Sequence, residues 1–363
     1  MRVGWCVAAT VALMVDGSAL AQSPAALNDA PPPLSRGPAV PTPAVADDMK
    51  SVLEQLPLLG ARPIATLTPV EARLEPTAAD AYNAAIRKSG MSVAPDATVT
   101  TQDLAYGTEP MQYARIYRPG AAAGTGAPLP LLVYYHGGGW VLAGLTAYDA
   151  TPRLLAKQLN AIVVSVEYRR APEFRFPAQH DDAAAAYGWA VQNAAAWGAD
   201  PTRVALAGES AGGNLALNTA IYARDHALAR PAHVLAIYPI ANSDPALPSR
   251  RDAAGAAPLD TAMLGWFAHY YSANAGDAAD PRLNLVRADL RGLPPVTIVN
   301  AQVDPLRSDG ETLAQALRGA GVSVQQRTYS GVTHEFFAMG RLVRGAYDAE
   351  LFAVARLKSA FGL

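Results

Sequence analysis

The segment best suited to chemistry is Gly208-Glu209-Ser210-Ala211-Gly212. A G-x-S-x-G run can set a serine on a sharp turn between a strand and a helix, where small neighbours allow close chain approach. The helix N-terminus then favours a developing anion. An ordinary tight turn would ask for the same glycines, but the apolar run at 203–207 and the helix-forming stretch from residue 211 favour a nucleophile. A serine hydroxyl is weak by itself and needs a base. Of six histidines, His334 follows the last β-like run and precedes the final helical stretch, as the chain order serine, acid, histidine requires. A carboxylate must fix the tautomer of that base and stabilise its imidazolium. Asp304, in Val303-Asp304-Pro305-Leu306-Arg307, stands between the two after an apolar run, although an Asp-Pro turn or helix cap would use the same residue.

Other candidates fit packing better. His226 and His233 flank a strand, His180 opens a helix and His269 lies in an irregular stretch. Asp309 and Glu311 sit where they would cap or buttress, and Glu335 is too near His334 in sequence to orient its ring easily. In His136-Gly137-Gly138-Gly139-Trp140, three glycines leave N–H groups unobstructed and able to hold the oxygen that turns negative in a tetrahedral intermediate, worth about 3 kcal/mol per donor. Phosphate cradling would call for a following Lys-Ser/Thr or an acidic partner, and the sequence has neither. His136 is expected to stiffen this loop.

The elements that must position these residues alternate. Apolar β runs at 131–135, 161–166, 203–207, 234–238, 296–301 and 322–328 are separated by helix-length Ala/Leu segments, which predicts an α/β fold with a mostly parallel sheet covered on both faces. Residues 96–106 and 111–118 read as a hairpin. Residues 240–280 are too long for a connection and read as an insertion. Upstream, Met49, Val52, Leu53 and Leu56 share a helical face ending near Gly60, and further helices start at Thr68 and at Thr77, the latter closing at Gly90. Residues 22–45 are Pro/Ala-rich and read as a disordered leader. Arg2, the apolar run 3–15 and Ala19-Leu20-Ala21 read as a signal peptide over 1–21, cleaved before Gln22 into the periplasm or the medium.

Composition supports an enzyme of this kind. The 363 residues are 51% hydrophobic and 17% charged, and 29 basic against 31 acidic side chains leave no excess positive charge for nucleic acid. The one cysteine, Cys6, lies in the signal segment, so neither a disulfide framework nor a cysteine zinc cluster is expected. No stable membrane span, metal or cofactor is expected; the expected partner is a small-molecule substrate, and the oligomeric state stays open.

Together these residues resemble the bacterial hormone-sensitive-lipase-like carboxylesterases (family IV) of the α/β-hydrolase fold. The resemblance runs from about Leu56 to the C-terminus through Leu67-Thr68-Pro69-Val70-Glu71-Ala72-Arg73, His136 to Trp140, Glu167-Tyr168-Arg169-Arg170-Ala171-Pro172-Glu173, Gly208 to Gly213, Asp304 to Arg307 and Gly331 to Phe337. It implies a Ser210–Asp304–His334 triad, an oxyanion hole from the N–H groups of Gly138, Gly139 and Ala211, and a catalytic domain over 93–363. It also implies a cap built from residues 46–92 and the 240–280 insertion. Short- to medium-chain acyl or aryl esters follow, with a serine peptidase or amidase and a silent ligand-binding protein as alternatives. Trp140, Trp266, Phe267 and Phe336 are candidates for the substrate pocket, while the Met/aromatic spacing 263–271 would equally serve cap packing. Glu209, Arg170 and Ser308-Asp309 depart from the family's usual residues.

Overall fold

The structure, a computed structural model, describes residues 43–120 and 126–363. The expected signal peptide, and the leader through residue 42, lie outside the described residues. Eight strands form one sheet: β1 (Val99–Ala105), β2 (Tyr113–Pro119), β3 (Leu129–Tyr135), β4 (Ile162–Val166), β5 (Ala199–Glu209), β6 (Val234–Ile237), β7 (Val296–Val303) and β8 (Val324–Thr333). Their order is β1-β2-β4-β3-β5-β6-β7-β8. The first two pairings, β1 with β2 and β2 with β4, are antiparallel, and the rest are parallel.

Alternation along β3 divides the core. Leu131, Val133 and Tyr135 face a layer containing the helices Ala178–Asn193 and Ala211–Asp225, while Leu132 and Tyr134 face Ala150–Leu159 and Arg344–Phe361. Both layers are apolar, so β3 and β4 are buried at every position.

Several strand ends extend past the sequence expectation, most of all at the start of β5 and the end of β8. β5 starts at Ala199, which pairs with Leu129 across a register shift. β8 continues beyond residue 328 to Thr333, which pairs with Val303. Both extensions come from pairing with a neighbour, which local apolar pattern does not carry. The expected first helix breaks into Asp47–Leu53 and Gln55–Leu58. Pro57 explains the break, because it lacks an N–H and its ring opposes the carbonyl four residues back. Capping boxes form at Thr68 with Glu71 and at Thr77 with Asp80, opening Pro69–Ala72 and Ala78–Lys88.

Between β6 and β7 the insertion folds into the helices Pro248–Asp252 and Thr261–Tyr271. It meets the N-terminal segment where Trp266 Nε1 donates to the Leu67 carbonyl at 2.8 Å. Arg73 then ties that segment to the body, donating to the carbonyls of Val141 at 3.0 Å and Ala171 at 2.7 Å and pairing with Glu173. Among the described residues no helix is long and apolar enough to cross a membrane.

Candidate active site

The site lies at the C-terminal ends of the parallel strands. β5 ends at Glu209 and the helix Ala211–Asp225 begins two residues on, so Ser210 makes the whole turn with φ 57 and ψ −117. That backbone is costly for a residue with a β-carbon, about 1–3 kcal/mol. Neighbouring chain holds it: Ser210 N–H donates to Ile237 at 2.9 Å, and its carbonyl accepts from Ile240 at 3.2 Å. Gly212 leaves room, since a β-carbon there would lie 2.0 Å from the Tyr135 carbonyl oxygen.

Three side chains make one hydrogen-bonded line. Ser210 Oγ is 3.0 Å from His334 Nε2, and His334 Nδ1 is 2.7 Å from Asp304 Oδ2. The other Asp304 oxygen accepts from Leu306 N–H at 2.7 Å, which fixes the carboxylate's rotation. All three residues are buried. The extension of β8 to Thr333 sets His334 directly at the strand's end.

Facing Ser210 is the loop after β3. Gly138 and Gly139 adopt φ +96 and +59, a left-handed path, and a β-carbon on Gly139 would strike the Phe267 ring at 2.2 Å. Ala211 N–H, at the start of its helix, is one of the donors with no acceptor within the helix. His136 braces the loop: its Nδ1–H donates to the Gly137 carbonyl at 2.8 Å, and its ring stacks on Tyr168 at 4.3 Å. The other expected bystanders are elsewhere, with His180 bonded to Asn214 and Tyr271, His233 to Thr297, and His226 stacked on Tyr222 at the surface.

A cavity of about 690 Å³ opens over Ser210 and His334. Gly138, Gly139, Leu142, Ile240, Leu259, Met263, Leu264 and Phe267 give it an apolar wall. Of the four aromatic candidates only Phe267 lines it. Trp140 turns away at φ +61 to stack on Tyr271 at 4.2 Å. Trp266 is fully buried against the N-terminal segment, and Phe336 packs against Tyr238 and Tyr329. Ile240 and Leu259, which carry no sequence signal, take part in their stead.

With this geometry in view, known proteins are informative. The family described as alpha/beta hydrolase fold matches residues 132–338. The carboxylesterase NlhH of Mycobacterium tuberculosis is 42% identical over 236 residues, covering 64% of this chain and 74% of its own. Ethyl acetate hydrolase of Pseudomonas putida is 35% identical over 250 residues, covering 67% and 77%. A solved esterase from Pyrobaculum calidifontis superposes with TM-score 0.73 at 33% identity, covering 87% of this chain and 98% of that one.

The chain belongs to the hormone-sensitive-lipase-like carboxylesterases of the α/β-hydrolase fold.

This carboxylic ester hydrolase buries several titratable groups around Ser210, among them Asp304, His334 and Glu209. Burial of the His334 ring disfavours the imidazolium, but the Asp304 carboxylate outweighs it, with Glu335 and Glu209 adding to the effect. His334 is therefore held above its ordinary 6.5. Burial pushes Glu209 up to about 7, and Glu335 adds to the push. Glu209 accepts from Tyr134 OH at 2.6 Å and from Tyr238 OH. Asp309 serves the esterase as a buttress, since its carboxylate accepts from the N–H groups of Ala241 and Asn242 at 3.1 Å and pairs with Arg250 at 2.8 Å. It thereby anchors the insertion's first stalk. Ser308 exchanges hydrogen bonds with Ser249 at the same place.

Proposed function

We propose that this carboxylesterase hydrolyses short- to medium-chain acyl or aryl esters through a Ser210 acyl-enzyme. The observation that carries the reading is the continuous line Ser210–His334–Asp304, at 3.0 and 2.7 Å, facing a left-handed glycine loop. His334 takes the Ser210 proton as Oγ attacks the ester carbonyl. Asp304 keeps the neutral ring in the tautomer whose Nε2 accepts, then stabilises the imidazolium. The N–H groups of Gly138, Gly139 and Ala211 hold the oxyanion, and His334 returns its proton to the departing alcohol. Water, deprotonated by the same ring, then releases the acid.

The size and apolar wall of the cavity support a small acyl or aryl group. So do relatives named ethyl acetate hydrolase and arylesterase. The N-terminal pattern supports an exported enzyme, with residues 1–21 as a signal peptide.

Hydrolysis of p-nitrophenyl esters of increasing chain length by wild type and Ser210→Ala tests the reaction. Substitution should lower kcat by at least about 10³-fold, with an optimum at short to medium chains in wild type. Equal activity in the two proteins rules the reading out. Matched anilides should be cleaved far more slowly than esters.

A further inference from the structure

The mechanism so far leaves the neighbour of the base unused. Glu335 follows His334 directly in the chain, with φ +66. It accepts a hydrogen bond from Tyr148 OH. Glu335 and Tyr148 line the cavity together with Ser210 and His334. Tyr148 also presses on the oxyanion loop, because a β-carbon on Gly137 would lie 2.3 Å from its hydroxyl. One phenol therefore touches both the loop that presents the Gly138 and Gly139 amides and the carboxylate beside the base.

Glu335 makes no ion pair with Lys or Arg among the described residues. Even half-buried, a carboxylate without a cation is costly, and a glutamine would accept the same Tyr148 bond at lower cost. What the carboxylate adds is charge, and the group nearest in sequence that gains charge during the reaction is His334.

We propose that Glu335 is a positioning residue: its carboxylate, held by Tyr148, is a second negative charge for the His334 imidazolium behind Asp304, while the same hydroxyl sets the oxyanion loop at Gly137. This rests on His334 being the base. Other groups face the pair. Asp304 approaches from the end of β7, Glu209 from the end of β5 with Tyr134 of β3 and Tyr238 after β6, and His136 from the loop after β3. Desolvation, helped by Asp304, holds the Glu335 carboxyl above its ordinary value, while His334, Tyr148 and His136 pull it back toward the ionised form. Glu209 has two tyrosine donors of its own, so Glu335 is the carboxylate whose removal acts on His334 from the cavity side.

The test is kcat and KM on p-nitrophenyl acetate across pH for wild type, Glu335→Gln, Glu335→Asp, Tyr148→Phe and Ser210→Ala. With its second charge gone, His334 protonates less readily, so the acid limb of kcat/KM in Glu335→Gln should move down by about 1 pH unit. Plateau kcat should fall about 3- to 10-fold with KM within about twofold. Glu335→Asp should restore the limb toward wild type, and Tyr148→Phe should lower kcat with KM little changed. A folded Glu335→Gln protein whose limb coincides with wild type overturns the proposal. If that variant does not fold, wild-type kcat in Tyr148→Phe overturns it equally. Activity in Ser210→Ala, or no acid limb in wild type, instead overturns the underlying mechanism.

Discussion

In the proposed mechanism His334 is the side chain whose charge state gates the reaction, and its surroundings fix the direction in which pH acts. Its burial is outweighed by Asp304, Glu335 and Glu209 together, so its protonated form persists above the ordinary 6.5. The base must be neutral to take the Ser210 proton, so kcat/KM should rise with pH and fall as pH drops through that raised value. An acid limb centred well below 6.5 in wild type would contradict this. The three residues of the proposed triad, joined in one hydrogen-bonded line, are legible from sequence because chemistry restricts their type and chain order. The pocket aromatics are not. Trp140 and Phe336 adjoin functional residues along the chain, yet a positive φ turns Trp140 away and Phe336 lies in the core. Along Thr261–Tyr271 the stripe splits: Met263, Leu264 and Phe267 face the cavity, whereas Trp266 and Tyr270 enter the core. Helical periodicity gives a face's width without saying which edge meets which neighbour.

At the scale of elements, strand identity was readable because β-branched apolar runs bounded by turn residues have few other uses. Strand ends were not, because the last residues of β8 and the first of β5 are held by partners far off in sequence. One link between elements has its own pH signature. His180 Nε2–H donates to Asn214 Oδ1 at 3.0 Å, and its Nδ1 accepts from Tyr271 OH at 3.0 Å. This joins the helix Ala178–Asn193 to the helix Ala211–Asp225 and to the insertion helix Thr261–Tyr271. Only the neutral ring can make both bonds, and burial lowers its pKa from 6.5 to about 4. Its contribution to stability is complete above 6.5 and is lost as pH falls from there to about 4, on the order of 3 kcal/mol. His180→Gln removes that titration. Urea midpoints at pH 7 and pH 5 should therefore separate further in wild type than in the variant, and equal separation would exclude the link.

For the whole molecule, the fold class followed from the alternation of apolar strands with helices, and the placement of the cap came from resemblance. Contacts such as Arg73 with the Val141 and Ala171 carbonyls leave no trace in local pattern, since an arginine on a helix is ordinarily just a solvated charge. Export belongs to this scale too. If residues 1–21 are a signal peptide, full-length protein expressed in a secreting host should yield a mature chain whose first residue is Gln22 and which contains no cysteine. Intact mass and N-terminal sequencing check this, and a retained Cys6 would refute it.

Asn214 gives the enzyme a property beyond catalysis. Its Nδ2 donates to the carbonyls of Ile240 and Arg282, at 3.0 and 2.9 Å, so both feet of the cap insertion stand on one amide of the nucleophile helix. An excursion that leaves and returns at a single point can change length or composition without altering the spacing of the sheet below. Changes to the insertion that keep the Ser249 and Asp309 anchors and the Phe267 contact with the Gly139 loop should therefore alter selectivity while leaving the spacing of the sheet below unchanged.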